Sequence, residues 1–512
     1  MGNIVGIDLG TTFSAIAQLD ENGRSVIVTN TESTEGGNIT PSVVSFTGKN
    51  SYEVGRNAKK MLGVDENTFS KFKRDMGTSK EYKTSYGVTH TPLTLSALVL
   101  KYIKEFTEKQ IGEFSNLVVT VPANFSSEAR DATMKAAEKA GLKIQNIIDE
   151  PKAAAIFFGS TKGLSDNGKY VIYDLGGGTF DVSVVEFKNS EITVLSTAGV
   201  ARLGGYDFDL ALQKLVADKY EKETGEKLSI ESDEKGNPPD FTINDAEEMK
   251  IVLSKRESIK EVIRGEGGRA SIEITRKEFE EVISPLLSQA ELACEECLDS
   301  KNIKNDDIDE VILVGGSTRV PIIKDSVKKV FGKEAKELGN PDEAVALGAA
   351  LYSAFKADTT MLSTMQKKTI EKIDKIDDVS SVYLGFISLD ENQKSVNSIL
   401  IKKNQKIPCD VTKSFYTAAQ GQTAVRCTVT ESGVDEEDPD FVKKVWEGLL
   451  EGLPEDRDPG KEVKVTFSYG DNKIIKVKFK DVESGKELKA DVNLNMDDKQ
   501  SENIDLDDFT ID

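Results

Sequence analysis

Apolar and polar positions fall into three regimes along the chain. Residues 3–19 (NIVGIDLGTTFSAIAQL) form two apolar runs around a Gly-Thr-Thr turn, and residues 169–186 (KYVIYDLGGGTFDVSVVE) repeat the plan, so each reads as a strand hairpin. Asp-Leu-Gly recurs at Asp8 and Asp174, and Thr-Phe closes both turns, which predicts two similar lobes, each built on a sheet that begins with the hairpin. Between the hairpins, LVVTVP (117–122) runs into the amphipathic SSEARDATMKAAEKAG (126–141), a strand and then a helix ending at Gly141. A third strand-to-turn element, EVILVGGSTRVP (310–321), precedes helical periodicity through NPDEAVALGAALYSAFKA (340–357).

The second regime is short. Residues 358–378 are polar and Lys-rich without strand alternation, and read as an interdomain linker or a short exposed helix. Beyond them the period becomes two: Val463, Val465, Phe467 and Tyr469, then Ile475, Val477 and Phe479, then Leu488, Ala490, Val492 and Leu494, with turn residues between the runs. This predicts an antiparallel β domain over 379–494. Within it an acidic stretch, 432–459, places Trp446, Leu449 and Leu450 at helical spacing and reads as an inserted helix or a solvated loop. The last residues, 495–512, hold seven acids and one lysine and read as a disordered tail.

Length and composition sharpen this picture. The 512 residues call for roughly three domains at about 100–200 residues each. A net charge of −22 argues against nucleic acid or an anionic membrane as partner. No apolar run reaches the roughly 18 residues of a membrane span. The start, MGNIVGIDLG, lacks the basic region of a secretory leader, and Gly6 stands where a myristoylation signal needs Ser or Thr. Four cysteines point to a reducing compartment, with the cytoplasm expected. Cys294 and Cys297 form a CxxC inside a helical pattern with no second pair, and read as buried thiols rather than a zinc or redox site. His90 is the only histidine, so unless it serves itself, catalysis must run on carboxylates, lysines, hydroxyls and backbone amides.

Two Gly-rich hairpins that each begin with an aspartate suit opposite sides of a chain of phosphates. Glycine lets backbone amides approach phosphate oxygens, and each Asp can hold a hydrated Mg²⁺. Thr11, Thr12 and Thr179 add hydroxyls. With GIDLGTTFS (6–14), TPSVVSF (40–46), NTFSKFKRDMG (67–77), VVTVPANFSSEARDAT (118–133), DEPKAAAIFFG (149–159), DLGGGTFDVS (174–183), LGGYDFD (203–209), AEEMKIVLS (246–254), VGGSTRVP (314–321) and NPDEAVALGAA (340–350), the chain resembles the seventy-kilodalton heat-shock chaperone family. That family carries an actin-like, hexokinase-type α/β ATPase domain of two lobes and an antiparallel β-sandwich that binds peptide.

The resemblance implies a nucleotide-binding domain over 1–357, with lobe I about 1–168 and 339–357 and lobe II about 169–338. It implies binding of ATP and ADP with Mg²⁺ and K⁺, and slow hydrolysis of ATP to ADP and phosphate. Lys73 resembles the catalytic lysine, Glu150 lies near the attacking water, and Asp8, Asp174 and Asp181 resemble the acids around Mg²⁺ (held through water) and the monovalent ion. Thr12 and Thr179 face the terminal phosphate, beside Gly10, Thr11, Phe13, Gly176, Gly177, Gly178, Gly204 and Gly205. Glu247, Lys250 and Ser254, with Gly315, Gly316, Ser317, Arg319 and Asp342, resemble the adenosine pocket. Pro122 and Arg130 match a switch that reports nucleotide state. In the β domain Phe386, Phe415, Val425 and Cys427 correspond to the peptide pocket, and Leu389 and Ala418 to the arch over it.

The same comparison marks departures. The linker is not the family's short Leu-rich segment, so interdomain coupling is expected to be wired differently. The helical lid that closes over peptide in the family is expected to be missing, and peptide release to be fast. Asn146 replaces an arginine expected to meet the J-domain co-chaperone, although a co-chaperone and a nucleotide-exchange factor remain expected partners alongside extended polypeptide. The leading expectation is an ATP-dependent chaperone. Its rival is a lidless, nucleotide-dependent scaffold or co-chaperone for one protein partner, and a small-molecule kinase of the same fold is disfavoured because no acceptor-binding insert stands out.

Overall fold

A computed structural model describes residues 3–32, 37–160, 164–165, 167–232, 238–471, 473–492, 506 and 509–511. The two hairpins seen in the sequence are the centres of two sheets of one plan. In the first, strand Asn3–Asp8 pairs antiparallel with Phe13–Leu19 and parallel with Phe114–Val121, which pairs in turn with Asn146–Asp149. In the second, Asn167–Leu175 pairs antiparallel with Phe180–Lys188 and parallel with Glu310–Val314. The registers bring Asp8 opposite Ala15 and Asp174 opposite Asp181, so each leading aspartate stands at the end of its strand beside the turn.

Helices Glu150–Ser160 and Ala344–Lys356 bring the two sheets together. The second is apolar on every side and buried over most of its length, as a helix between two layers must be. Small residues make the approach possible. A Cβ on Gly348 would lie 1.7 Å from the carbonyl oxygen of Ala153, so the helices pack backbone to backbone and no larger residue fits.

The C-terminal part is a sandwich of two four-stranded sheets, with strands Ser395–Ile401, Tyr383–Leu389, Ala424–Ser432 and Lys443–Glu451 facing Cys409–Tyr416, Glu462–Tyr469, Ile475–Asp481 and Glu487–Asp491. Leu384, Phe386 and Val429 meet Val465, Phe467 and Phe479 in its core. Here the expected helix or loop within 432–459 is corrected: Trp446, Leu449 and Leu450 lie on the strand Lys443–Glu451, paired antiparallel with Ala424–Ser432. A bulge opposite Val429 and Thr430 breaks the alternation, so both Val445 and Leu450 turn inward although they are an odd number of residues apart.

The polar segment 358–378 includes the expected short helix and stays exposed along much of its length, with Met361 and Met365 in solvent, but one side of it is docked. It contains a short helix, Thr364–Ile370, capped by Ser363, and a strand, Lys375–Val379, that adds in parallel to Glu191–Val200 at the edge of the second sheet. Gln366 donates to the carbonyl of Leu19 (2.8 Å) and Thr369 to that of Gly23 (2.8 Å), while Leu362 and Ile373 are buried.

The acidic C-terminal stretch also departs from expectation where it is described. Thr510–Ile511 pairs in parallel with Ser51–Val54 of the first lobe, and Leu506 and Phe509 are buried in that lobe's core. Lys101 Nζ donates to the carbonyl of Leu506 at 2.6 Å. The rest of 495–505, with residues 507, 508 and 512, lies outside the described residues.

Candidate functional site

The two Gly-rich turns line one cavity of about 520 Å³, the size of a nucleotide-scale pocket. At its floor stand Asp8 and Asp174, with Asp181 buried beside them. Lys73, on the 3-10 turn Phe72–Asp75, reaches in from the first lobe and its Nζ meets Glu150 Oε1 at 2.5 Å, both groups being almost fully buried. Thr120 donates to Asp8 Oδ1 at 2.9 Å, and the backbone N–H of Asn124 donates to Asp181 at 3.2 Å.

One lysine does not satisfy this many acids. Burial, reinforced by repulsion from Glu150, pushes Asp8 up to about 7 and Asp181 up to about 8. The same two causes hold Asp174 well above the usual carboxylate range. A site that makes three carboxylates hold their protons is short of positive charge, which a divalent cation carrying phosphates would supply. Among the described residues no three acidic, His or Cys side chains converge tightly enough to ligate a bare ion. Asp8, Asp174 and Asp181 are the residues that would hold such a cation.

The two turns interlock. A Cβ on Gly177 would lie 1.8 Å from Thr12 Oγ1, so only glycine lets the second turn close on the first. Ser317 donates to the carbonyl of Gly176 at 2.8 Å, tying the VGGSTR turn to the same place. At the far wall Lys250 pairs with Asp209 (2.6 Å), Arg319 with Asp342 (2.5 Å), and Lys59 bridges from the first lobe to Glu247 of the second (3.0 Å).

Of the residues singled out in the sequence, those assigned to catalysis and nucleotide line this one cavity, apart from Gly178, Gly204 and Asp181, which sit just behind it. Gly204 packs against the backbone of Gly177 and Gly178. Sequence reasoning missed Lys71, Tyr206 and Asp209. All three lie within or beside quoted motifs, so position in the motif was the available signal. His90 is not part of the site: it is buried in the first lobe, stacked on Phe46 at 4.2 Å, and burial lowers it to about 4. Cys294 and Cys297 are buried free thiols.

The switch residues form a second cluster behind the cavity. Arg130 is buried rather than solvated; its Nη1 pairs with Asp149 at 2.7 Å and its Nη2 donates to the carbonyl of Ala123 at 2.8 Å and more weakly to that of Pro122. From the sandwich, Lys473 also pairs with Asp149, and it lies 3.6 Å from Asp378, which Lys152 holds at 3.0 Å. Burial opposes the charge on Asp378, yet Lys152 and Lys473 together keep its pKa below the ordinary value. Glu431 of the sandwich accepts from the backbone N–H of Ser127 (3.2 Å), and Lys443 pairs with Glu128 at 2.6 Å. The sandwich is thus bolted to the residue that precedes Glu150.

The six peptide-contact candidates divide. Phe386 and Phe415 stack edge to face at 5.0 Å, Val425 packs against the same core, and Cys427 lies fully inside it. Leu389 and Ala418 are exposed and stand apart from that core.

Two lobes of one plan thus bring their Gly-rich turns together at a pocket rich in acids, with a β-sandwich packed against them. A family model described as Hsp70 protein matches residues 4–507, and the chain belongs to the Hsp70 family. Members of that family are chaperones and ATPases that bind ATP and ADP with Mg²⁺ and act on unfolded polypeptide together with co-chaperones. Among the described residues no helix is long and apolar enough to cross a membrane.

Proposed function

We propose that this chain hydrolyses ATP slowly in the cleft between its lobes, residues 1–357, and uses the nucleotide state to adjust how the sandwich, residues 379–494, holds an extended polypeptide. The observation that carries the reading is the buried Lys73–Glu150 pair set among Asp8, Asp174 and Asp181 where the two Gly-rich turns meet. Glu150 orients the attacking water, and Lys73 offsets the charge that builds on the transferred phosphoryl group. Asp8, Asp174 and Asp181 would hold Mg²⁺ and K⁺, which would offset phosphate charge, and Thr12 and Thr179 would donate to the terminal phosphate. Coupling is supported by the cluster of Arg130, Asp149, Lys152, Asp378 and Lys473, because Asp149 is the immediate neighbour of Glu150 and its partner Lys473 belongs to the sandwich.

Single-turnover hydrolysis by Lys73→Ala tests the catalytic assignment. Loss of about 100-fold or more in rate, with ADP binding retained, is the expected result; unchanged hydrolysis would overturn it. The burial of Phe386 and Cys427 favours a second reading, in which the chain is a nucleotide-dependent scaffold or co-chaperone for one specific protein partner with little general peptide binding. A panel of unfolded peptides separates the two: binding broken by Val425→Phe supports the chaperone, and no binding to any peptide supports the scaffold.

A further inference from the structure

Two residues before Lys73, Lys71 adopts a left-handed backbone conformation (φ 61°, ψ 9°), which residues with side chains seldom hold. Strain of this kind persists where the surroundings enforce it, and it concentrates at functional sites. The side chain reaches two residues of the cavity wall: Lys71 Nζ donates to Thr12 Oγ1 at 3.0 Å and lies 5.5 Å from the centre of the Tyr206 ring. Thr12 Oγ1 is the atom against which Gly177 closes, so the ammonium stands where the two Gly-rich turns meet.

Lys71 has no acid of its own there. The carboxylates it faces are Glu247 and Asp209, each already paired, with Lys59 at 3.0 Å and with Lys250 at 2.6 Å; Lys59 and Lys250 are also the cations it faces. Its one hydrogen-bond acceptor among the described residues is a neutral hydroxyl. Burial accordingly pulls its pKa down to about 8, the condition of a cation awaiting an anion.

We propose that Lys71 is a second phosphate-contacting cation, which reads the terminal phosphate and makes the cleft prefer a nucleoside triphosphate to a diphosphate. The assignment rests on the nucleotide-cleft reading above, in which Thr12 faces that phosphate. Lys73 is tied to Glu150, whereas Lys71 is tied only to the hydroxyl that a phosphate oxygen would join.

Calorimetric titration of the full chain with Mg²⁺ and either ADP or a non-hydrolysable ATP analogue tests it. Lys71→Met keeps the apolar stem and removes the charge; it is expected to weaken the triphosphate about tenfold and the diphosphate less than about threefold, as loss of one charged hydrogen bond requires. Lys71→Arg is expected to restore most of the triphosphate affinity. Should Lys71→Met fail to fold, Lys71→Gly suits the left-handed backbone and is expected to show the same selective loss. Equal weakening of both nucleotides, or no change in either, overturns the role of Lys71. Failure of the parent chain to bind either nucleotide would instead overturn the cleft reading.

Discussion

Lys73 and Glu150 are held 2.5 Å apart among buried aspartates, and that crowding has a pH signature. Asp8 and Asp181 keep their protons to about pH 7 and about pH 8 in the folded chain, against 3.8 when free. The native state therefore binds more protons than the unfolded one across this window. The stability this contributes is complete below about pH 4 and drains as pH rises through 7 and 8. Melting temperature of the nucleotide-free protein is expected to fall between about pH 4 and pH 8, and Mg²⁺ with ADP to flatten the fall; a flat profile without ligand would contradict the crowding. At this scale the sequence was informative because Gly-rich turns have few backbone solutions. Asp8, Thr12, Asp174 and Thr179 sit in contiguous motifs, and their convergence follows from the hairpins themselves. Lys71 was not legible, since its direction depends on a left-handed φ that a lysine does not advertise.

Elements that gain their order from distant partners were the hardest to read. The strand Lys443–Glu451 hid behind a bulge, and Lys375–Val379 became a strand because an edge of the second sheet was open to it. Phe509 was masked by the acids around it, although its ring packs against Phe46, Tyr52 and His90 with centres 6.0 to 6.4 Å apart. Phe509→Ala removes most of a buried aromatic side chain from the first lobe and is expected to cost about 3 kcal/mol in denaturant unfolding of that lobe. Faster hydrogen exchange over Ser51–Val54, the strand with which Thr510 and Ile511 pair, should accompany the loss. A change below about 0.5 kcal/mol would mean the terminal segment contributes nothing to the lobe.

For the whole molecule the decisive feature is how two modules of a chain with net charge −22 are joined. One buried cluster of the interface is locally the opposite of the whole: Arg130, Lys152 and Lys473 are three cations around two acids, Asp149 and Asp378. Removing one member of a buried charged set costs about 3–5 kcal/mol when its partner stays buried. Undocking lets the partners return to water. Lys473→Ala is thus expected to enlarge the radius of gyration in X-ray scattering while leaving each module folded; an unchanged radius would show that the charges do not hold the sandwich in place.

The central claim is that nucleotide in the cleft governs what the sandwich holds. It is tested most directly by the dissociation rate of a fluorescent extended peptide from the full chain, measured after mixing with ATP and with ADP. Release at least about tenfold faster with ATP, a difference abolished by Lys473→Ala, is the expected result. Equal rates with both nucleotides from the parent chain would contradict it.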